Sequence, residues 1–315
     1  MLNIGIIGLG VVGLGVVEIL KQLPQYGARF QILQICSRNK PQSDVIQNIS
    51  WTSNYNDILN NTDVNLIIEL IGGNTDAYKI IQSALSSGKH VITANKMLLA
   101  ERADELAKLA DANKLYLLFE AAVCGGVPVL NTLKEISQFD KINKLEGILS
   151  GSCTYILTRM HNEKRHFQEI LSDAQKLGYI EYDPSLDISG LDTAHKACIL
   201  YKTAFKKSYN VLDVALTGIQ DVTLEQVKNA EAHSSRIRLV AEISESGIVI
   251  SPKVLPHTHT LYHVSNNLNG VIISSKNLGE IYIEGQGAGR YPTASAVVLD
   301  VKSILNNTGI NHFGS

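Results

Sequence analysis

A short acidic segment that ends in a lysine carries the residue types of a proton-transfer site. Residues 178–196 read GYIEYDPSLDISGLDTAHK. They contain four carboxylates ahead of the lysine, namely Glu181, Asp183, Asp187 and Asp192. Residues four apart share one face of a helix, so the sequence predicts that Asp192 and Lys196 lie side by side. Because burial lowers the pKa of a lysine and acids raise it, this pair is a candidate proton shuttle. The acids could instead bind a substrate ammonium group, and a surface ion pair is the alternative.

A glycine-rich turn near the amino terminus has the spacing of a dinucleotide-binding loop. Gly8, Gly10 and Gly13 match G-x-G-x-x-G, follow an apolar strand and open a helix. The first glycine permits the tight turn, the second lets the backbone approach a pyrophosphate, and the third allows close helix–strand packing. The helix N-terminus presents N–H groups and partial positive charge to the phosphates. The sequence therefore predicts dinucleotide binding, with a purely structural turn as the alternative.

The end of the second predicted strand bears on the choice of dinucleotide. NAD sites usually place an acid there for the ribose 2′-hydroxyl group. The chain reads Ser37-Arg38-Asn39-Lys40 at this point and has no acid. Arg38 and Lys40 could pair with a 2′-phosphate, so we expect NADP rather than NAD, although NAD use stays open. The alternative is that both are solvated loop charges.

The elements that must position these residues follow one pattern up to about residue 128. Apolar runs alternate with helical patterns, which indicates βαβ units and a parallel sheet. The predicted strands are 2–7, 30–36, 64–70, 90–93 and 115–119. The predicted helices are 11–23, 76–86 and 97–112.

Beyond residue 128, helices and strands are mixed. The predicted helices are 129–136, 154–163, 167–176, 192–205 and 292–305, and the predicted strands are 145–149, 248–254, 271–275 and 279–284. We therefore predict an α/β fold with a Rossmann-type parallel-sheet nucleotide domain and an α+β substrate domain. The nucleotide domain is expected over 1–128, with a C-terminal helix of about 290–315 returning to it, and the substrate domain over 129–289.

Composition excludes several classes of protein. The chain has 315 residues, of which 45% are hydrophobic and 18% charged, which is typical of a globular protein of about two domains. A net charge of −2 argues against a nucleic-acid binder, and no apolar run is long enough to span a membrane. The four cysteines are far apart in sequence, so we expect free thiols and a cytoplasmic location.

Four blocks together carry a family resemblance. They are GKHVITANK (88–96), FEAAVCGGVPVL (119–130), the acidic segment 178–196, and GQGAGRYPTASAVVLD (285–300). With them the chain resembles homoserine dehydrogenase from residue 1 to about residue 305. The resemblance implies interconversion of L-homoserine and L-aspartate 4-semialdehyde by hydride transfer with NAD(P), in threonine and methionine biosynthesis. It also implies a homodimer formed through the second domain.

The resemblance also implies roles for individual residues. Lys196 matches the general acid/base, Lys96 the active-site lysine near cofactor and substrate, and Asp192 a catalytic and substrate-binding acid. Glu181 and Asp187 match further substrate-binding acids. The positions that match cofactor contacts are Leu9, Val11, Val12, Lys96, Gly178 and Gly289, beside the glycine loop. A sodium-type cation would be held by Glu120 and the carbonyl groups of Val123, Gly125 and Val127, a donor set of oxygens that suits a hard ion.

Two departures from the family pattern bear on these roles. The family often reads GILNGTTNYIL, whereas this chain has Ser150 and Thr154 at the asparagine positions, which puts the contacts of that loop in question. Many members carry a C-terminal regulatory ACT domain, and because this sequence ends at Ser315 we expect none.

Two other functions compete with this interpretation. Ser152-Cys153-Thr154 is similar to the nucleophile motif of phosphorylating aldehyde dehydrogenases, although a nucleophilic cysteine needs an activating base or a helix N-terminus. The other alternative is a cofactor-binding regulator that has lost catalysis.

Overall fold

Two structural units make up the part of the chain that this computed structural model describes, which is residues 1–23, 29–176, 183–309, 311 and 313. The first unit is Met1–Pro128 together with Gly289–Ser315, and the second is Val129–Ala288.

The first unit alternates strands and helices. Its strands are β1 (Leu2–Ile7), β2 (Phe30–Cys36), β3 (Ser50–Thr52), β4 (Leu66–Glu69), β5 (His90–Thr93) and β6 (Leu117–Leu118). Its α-helices are α1 (Val11–Lys21), α2 (Tyr55–Leu59), α3 (Thr75–Ser86), α4 (Lys96–Ala112) and α11 (Arg290–Leu305).

All six strands of the first unit are parallel and lie in the order β3-β2-β1-β4-β5-β6. Ile6 and Ile68, on neighbouring central strands, are both fully buried. A parallel sheet is covered on both faces, which is why these strands are continuous apolar runs in the sequence. The strand order reverses between β1 and β4, so the carboxyl ends of these two strands form the crevice in which such sheets bind ligands. The predicted Rossmann-type fold is confirmed.

The second unit contains a mixed sheet and six described helices. Its strands are β7 (Ile142–Ile148), β8 (Ala215–Leu216), β9 (Ser235–Ser244), β10 (Gly247–Pro256), β11 (Leu268–Ser275) and β12 (Glu280–Gln286). Its α-helices are α5 (Val129–Ile136), α6 (Gly151–Glu163), α7 (Phe167–Lys176), α8 (Ser185–Ile188), α9 (Leu191–Phe205) and α10 (Leu224–Ala232).

The sheet of the second unit has the order β12-β11-β7-β9-β10-β8, and its pairs are antiparallel except for β8 with β10. The predicted α+β architecture is confirmed. The prediction omitted β9, a ten-residue strand inside the sheet, because its apolar residues are interrupted by Arg236, Arg238 and Glu242. Arg238 is fully buried, and its Nε donates to the Val264 carbonyl oxygen at 2.8 Å.

Asp140 fastens the β11–β12 turn to the start of β7. Its carboxylate accepts hydrogen bonds from the backbone N–H groups of Lys141 (2.8 Å), Asn277 (3.0 Å) and Leu278 (2.8 Å). Burial alone would raise the pKa of Asp140, but the bonds from Leu278, Asn277, Ser275 and Lys141 outweigh it and lower this pKa to about 2.

Replacing Asp140 by asparagine is expected to destabilise the protein in a pH-dependent way. The carboxylate has a folded pKa of about 2, below the ordinary value of about 3.9. Its contribution is therefore present above about pH 4 and is lost as the pH falls toward 2. At pH 7 we expect Asp140→Asn to lower the Tm by about 2–6 °C, and the difference from wild type should shrink toward pH 2.5. Asp221→Asn, at an exposed site of the same unit, is the control, and a pH-independent difference would contradict the assignment.

None of the described helices combines the length and the hydropathy needed to cross a bilayer.

Candidate active site

The glycine turn after β1 leaves room for a phosphate only at its middle glycine. Gly8 has a φ of +108°, and a Cβ added there would lie 2.5 Å from the Leu70 carbonyl carbon. A Cβ on Gly13 would lie 2.1 Å from the Gly8 carbonyl oxygen, whereas a Cβ on Gly10 would meet nothing within 4 Å. The outer glycines therefore permit close packing, and Gly10 sits in open space at the N-terminus of α1. The turn fits a pyrophosphate bound to the helix N-terminus.

The turn after β2 presents two cations and no acid. Arg38 and Lys40 are both exposed. The Ser37 hydroxyl braces this turn, because it donates to the Asn39 carbonyl oxygen at 2.7 Å and accepts from the Trp51 indole N–H at 3.1 Å. Within the described ranges, neither cation makes an ion pair with an acid. The turn therefore has the charge that suits a phosphate monoester.

Lys96 occupies the first position of α4, directly after β5. The Asn95 side chain caps this helix by accepting from the Leu98 N–H at 3.2 Å. A helix N-terminus carries partial positive charge, so a lysine there is unfavourable unless an anion lies nearby. The position of Lys96 therefore suits contact with a phosphate or a carboxylate.

The segment 120–127 contains a carboxylate and backbone carbonyl oxygens, the ligand atoms expected of a site for a hard cation. Glu120 is fully buried, and its N–H donates to the Asp300 carboxylate at 2.9 Å. Cys124 and Gly125 have positive φ values of 58° and 53°, so the chain turns sharply there. Among the residues described, no three His, Cys, Asp or Glu side chains could hold a metal together. The carboxylate of Glu120 and nearby carbonyl groups fit a hard monovalent ion better than a transition metal.

The second unit brings Lys196 and Asp192 into direct contact, as their spacing predicts. Lys196 Nζ lies 2.7 Å from Asp192 Oδ2 and donates to the Leu149 carbonyl oxygen at 2.8 Å. The two side chains are only 12% and 14% exposed. Asp192 also lies in the first turn of α9, where the helix dipole favours an anion. The ammonium group is therefore held by fixed partners rather than in bulk water.

Cys153 lies close to this pair, in the first turn of α6, but its surroundings disfavour the thiolate. Its Sγ donates to the Asp187 carbonyl oxygen at 3.1 Å, and the side chain is fully buried. Burial, followed by the carboxylates of Asp187 and Asp192, raises the pKa of Cys153 to about 12, although Ser150 and Lys196 act in the opposite direction. The thiolate that an aldehyde dehydrogenase needs is therefore disfavoured at neutral pH.

Comparison with known proteins shows to which family the chain belongs. Residues 128–301 match the family model described as homoserine dehydrogenase, and residues 8–120 match the one described as homoserine dehydrogenase, NAD binding domain. The homoserine dehydrogenase of Bacillus subtilis (strain 168) is 35% identical over 100% of this chain and 75% of its own length. The chain belongs to the homoserine dehydrogenase family. It is accordingly an oxidoreductase with a nucleotide-binding domain.

Solved homoserine dehydrogenases have the same fold. The crystal structure of the enzyme from Thiobacillus denitrificans has a TM-score of 0.92 at 33% identity, covering 98% of this chain and 74% of that one. A hyperthermophilic archaeal homoserine dehydrogenase in complex with NADPH has a TM-score of 0.85 at 27% identity, covering 98% and 99%.

Two residues expected at the site from the homoserine dehydrogenase resemblance, Gly178 and Glu181, lie outside the described residues. Among the others, Asp187 is half-buried in α8 and Gly289 precedes α11 with a φ of +124°. Of the apolar residues at the glycine turn, Leu9 is buried, Val12 is half-buried and Val11 is 67% exposed.

The loop before α6 contributes a partner of Lys196 that sequence reasoning missed. The Leu149 carbonyl group could not be inferred, because it lies 47 positions away from the lysine. Ser150, where the homoserine dehydrogenase pattern has asparagine, caps α6 by accepting from the Cys153 N–H at 3.2 Å. Serine and asparagine are comparable N-caps, so this departure keeps the helix start intact. Thr154 donates its hydroxyl group to the Ser150 carbonyl oxygen at 2.7 Å.

Proposed function

We propose that the chain interconverts L-homoserine and L-aspartate 4-semialdehyde, with NADP as the preferred cofactor and Lys196 as the general acid/base. The observation that carries this role is the fixed position of the Lys196 ammonium group, 2.7 Å from the Asp192 carboxylate and 2.8 Å from the Leu149 carbonyl oxygen. Membership of the homoserine dehydrogenase family supports the reaction, and the NADPH complex of an archaeal relative supports the class of cofactor.

Lys196 serves as the proton acceptor when homoserine is oxidised. As the carbonyl group forms, the hydroxyl proton must pass to a base within about 3 Å. The neutral amine of Lys196 accepts this proton, and Asp192 stabilises the ammonium ion that results. In the reverse direction the ammonium ion donates the proton to the aldehyde oxygen. A bound nicotinamide cofactor would supply the hydride acceptor for the oxidation and the hydride donor for the reduction.

The substrate is an amino acid, so its two charged groups need opposite partners. Glu181 or Asp192 binds the ammonium group, and the negative charge of Asp187 adds to its attraction. Lys96, at the N-terminus of α4, binds the carboxylate or a cofactor phosphate. In this assignment, residues 1–128 with the C-terminal helix hold the cofactor and residues 129–289 hold the substrate.

The cofactor contacts follow from the glycine turn and the turn after β2. Gly8, Gly10 and Gly13 shape the pyrophosphate site, and Leu9, Val11 and Val12 line it. Arg38 and Lys40 bind the 2′-phosphate of NADP. Gly178 and Gly289 complete the set of contacts.

Three further properties are proposed from the family. A monovalent cation such as sodium binds Glu120 and the carbonyl oxygens of Val123, Gly125 and Val127. The chain acts as a homodimer. It works in the cytoplasm, where its four cysteines stay reduced.

A direct assay of turnover tests the proposed reaction. We expect homoserine to reduce NADP with a kcat in the usual range of about 1–10³ s⁻¹, and the KM for NADP to be lower than that for NAD. L-Serine, one methylene shorter, serves as the control substrate and should be turned over poorly. A protein that binds NADPH but oxidises no homoserine would be the regulator that has lost catalysis. Equal or reversed KM values would contradict the NADP preference.

A further inference from the structure

A fully buried glutamate ends β4 at the crevice edge of the parallel sheet. Glu69 is 0% exposed, and its Oε1 accepts from the backbone N–H groups of Ile71 at 2.8 Å and Gly72 at 3.3 Å. Its Oε2 accepts from the Thr93 hydroxyl group at 2.5 Å. Three donors, two from the loop after β4 and one from the end of β5, therefore converge on one carboxylate.

The charge of Glu69 is costly where it lies. Among the residues that the structure describes, no lysine or arginine lies within ion-pair distance of its carboxylate, and burial raises its pKa more than the bonds from Thr93, Ile71 and Gly72 lower it. A buried carboxylate without a counter-ion is expensive compared with an apolar side chain of similar size. The carboxylate therefore contributes mainly by fixing the geometry of the backbone around it.

The hydrogen bonds continue from Glu69 to the start of α4. Thr93 Oγ1 also accepts from the Asn95 N–H at 3.1 Å. The Asn95 side chain donates to the Gly73 carbonyl oxygen at 2.5 Å and caps the helix whose first residue is Lys96. One network of hydrogen bonds, through Glu69, Thr93 and Asn95, therefore joins loop 70–73 to the first turn of α4.

This network touches the glycine turn through the backbone. Glu69 pairs with Ile7 in the β1–β4 register, and the Leu70 N–H donates to the Ile7 carbonyl oxygen at 2.8 Å. Gly8, which follows Ile7, lies so close to Leu70 that a Cβ added to Gly8 would overlap the Leu70 backbone. A displacement of loop 70–73 would therefore also displace the glycine turn.

We propose that Glu69 is a positioning residue for the cofactor site. Its carboxylate sets loop 70–73 against the glycine turn and, through Thr93 and Asn95, sets the first turn of α4 that carries Lys96. The inference rests on the proposed function, because it assigns Glu69 a role in binding the same cofactor.

Glu69→Gln tests the role of the carboxylate with little change in size. A carboxamide has one acceptor oxygen, so it cannot satisfy all three donors, and we expect the loop and Lys96 to shift. The Kd for NADPH, measured by titration calorimetry, should rise about 10-fold, and kcat at saturating substrates should fall about 10–100-fold, as small misplacements of binding groups do. Thr93→Val, which keeps the shape of the side chain and removes its hydroxyl group, should have the same effects. Thr93→Ser restores the hydroxyl group and should return both values to within about 3-fold of wild type.

Lys89→Met is the matched control for stability. Lys89 is also buried, and its Nζ donates to the carbonyl oxygens of Asn61 and Val64, both at 2.7 Å, at the amino end of β5. This variant should lower the Tm and leave the NADPH Kd and kcat within about 2-fold of wild type.

The outcomes separate the two proposals. If Glu69→Gln and Thr93→Val lower only the Tm, as Lys89→Met does, the positioning role is wrong while the proposed function stands. If Thr93→Ser is as defective as Thr93→Val, the hydroxyl relay is wrong. If the wild-type protein binds no NADPH, the proposed function itself is wrong.

Discussion

Lys196→Ala is expected to lower kcat by about 10²–10⁴-fold, the usual cost of losing a general acid/base. Lys196 Nζ lies 2.7 Å from Asp192 Oδ2 and 2.8 Å from the Leu149 carbonyl oxygen, so truncation to alanine removes the proposed proton acceptor from between them. The Kd for NADPH should stay nearly unchanged, because the glycine turn and the turn after β2 belong to the other structural unit. Steady-state kinetics with homoserine, together with a cofactor titration, provide both numbers.

Two further variants separate proton transfer from charge. Lys196→Arg keeps a cation beside Asp192 but does not deprotonate at working pH, so it should be nearly as inactive as Lys196→Ala. Lys207→Ala removes an exposed lysine just after the same helix and should leave kcat unchanged. A kcat close to wild type in Lys196→Ala would exclude this residue as the proton shuttle, and an active Lys196→Arg would leave only an electrostatic role.

Removal of both cations of the turn after β2 is expected to abolish most of the preference for NADP. In an Arg38→Ala, Lys40→Ala double variant, the KM for NADP should rise about 10–100-fold, as the loss of two exposed, charge-assisted contacts predicts. The KM for NAD should change little, because NAD has no 2′-phosphate. Initial rates at saturating homoserine with each cofactor measure the two values.

Ionic strength and a charge-matched control complete this test. Exposed charges are screened by salt, so the KM for NADP in the wild-type protein should rise between about 0.05 and 0.5 M salt more steeply than that for NAD. A Lys108→Ala, Lys302→Ala variant loses the same charge from exposed sites of the same unit and should keep the NADP preference. If the two double variants behave alike, only the net charge matters and the assignment of Arg38 and Lys40 is wrong.

The parallel sheet was the easiest part of the fold to predict. Its central strands β1 and β4 are almost entirely buried and apolar, which makes such runs easy to recognise. β1, β2 and β5 have the predicted bounds, and β4 is shorter than predicted by a few residues. The sheet of the second unit was harder. Its strand β9 alternates apolar residues with Arg238 and other charged side chains, and a buried arginine is an exception to the usual apolar pattern. Strands β3 and β8, one in each sheet, have only three and two residues, too few for periodicity to detect.

For the candidate site, contacts within one helix were predictable and contacts between distant segments were not. The spacing of Asp192 and Lys196 on α9 was enough to predict their ion pair. The partner at Leu149 is a backbone carbonyl group, which every residue type has, so no side-chain pattern indicates it. Glu69 and Thr93 read as parts of apolar strands, and only the pairing of β4 with β5 places them together.

The brace between Trp51 and Ser37 makes the turn after β2 observable without a label. The sequence contains one tryptophan, so all indole emission comes from this position. Its ring N–H is tied to the hydroxyl group that also holds Asn39, beside Arg38. Emission of the native chain therefore reports the state of the turn itself.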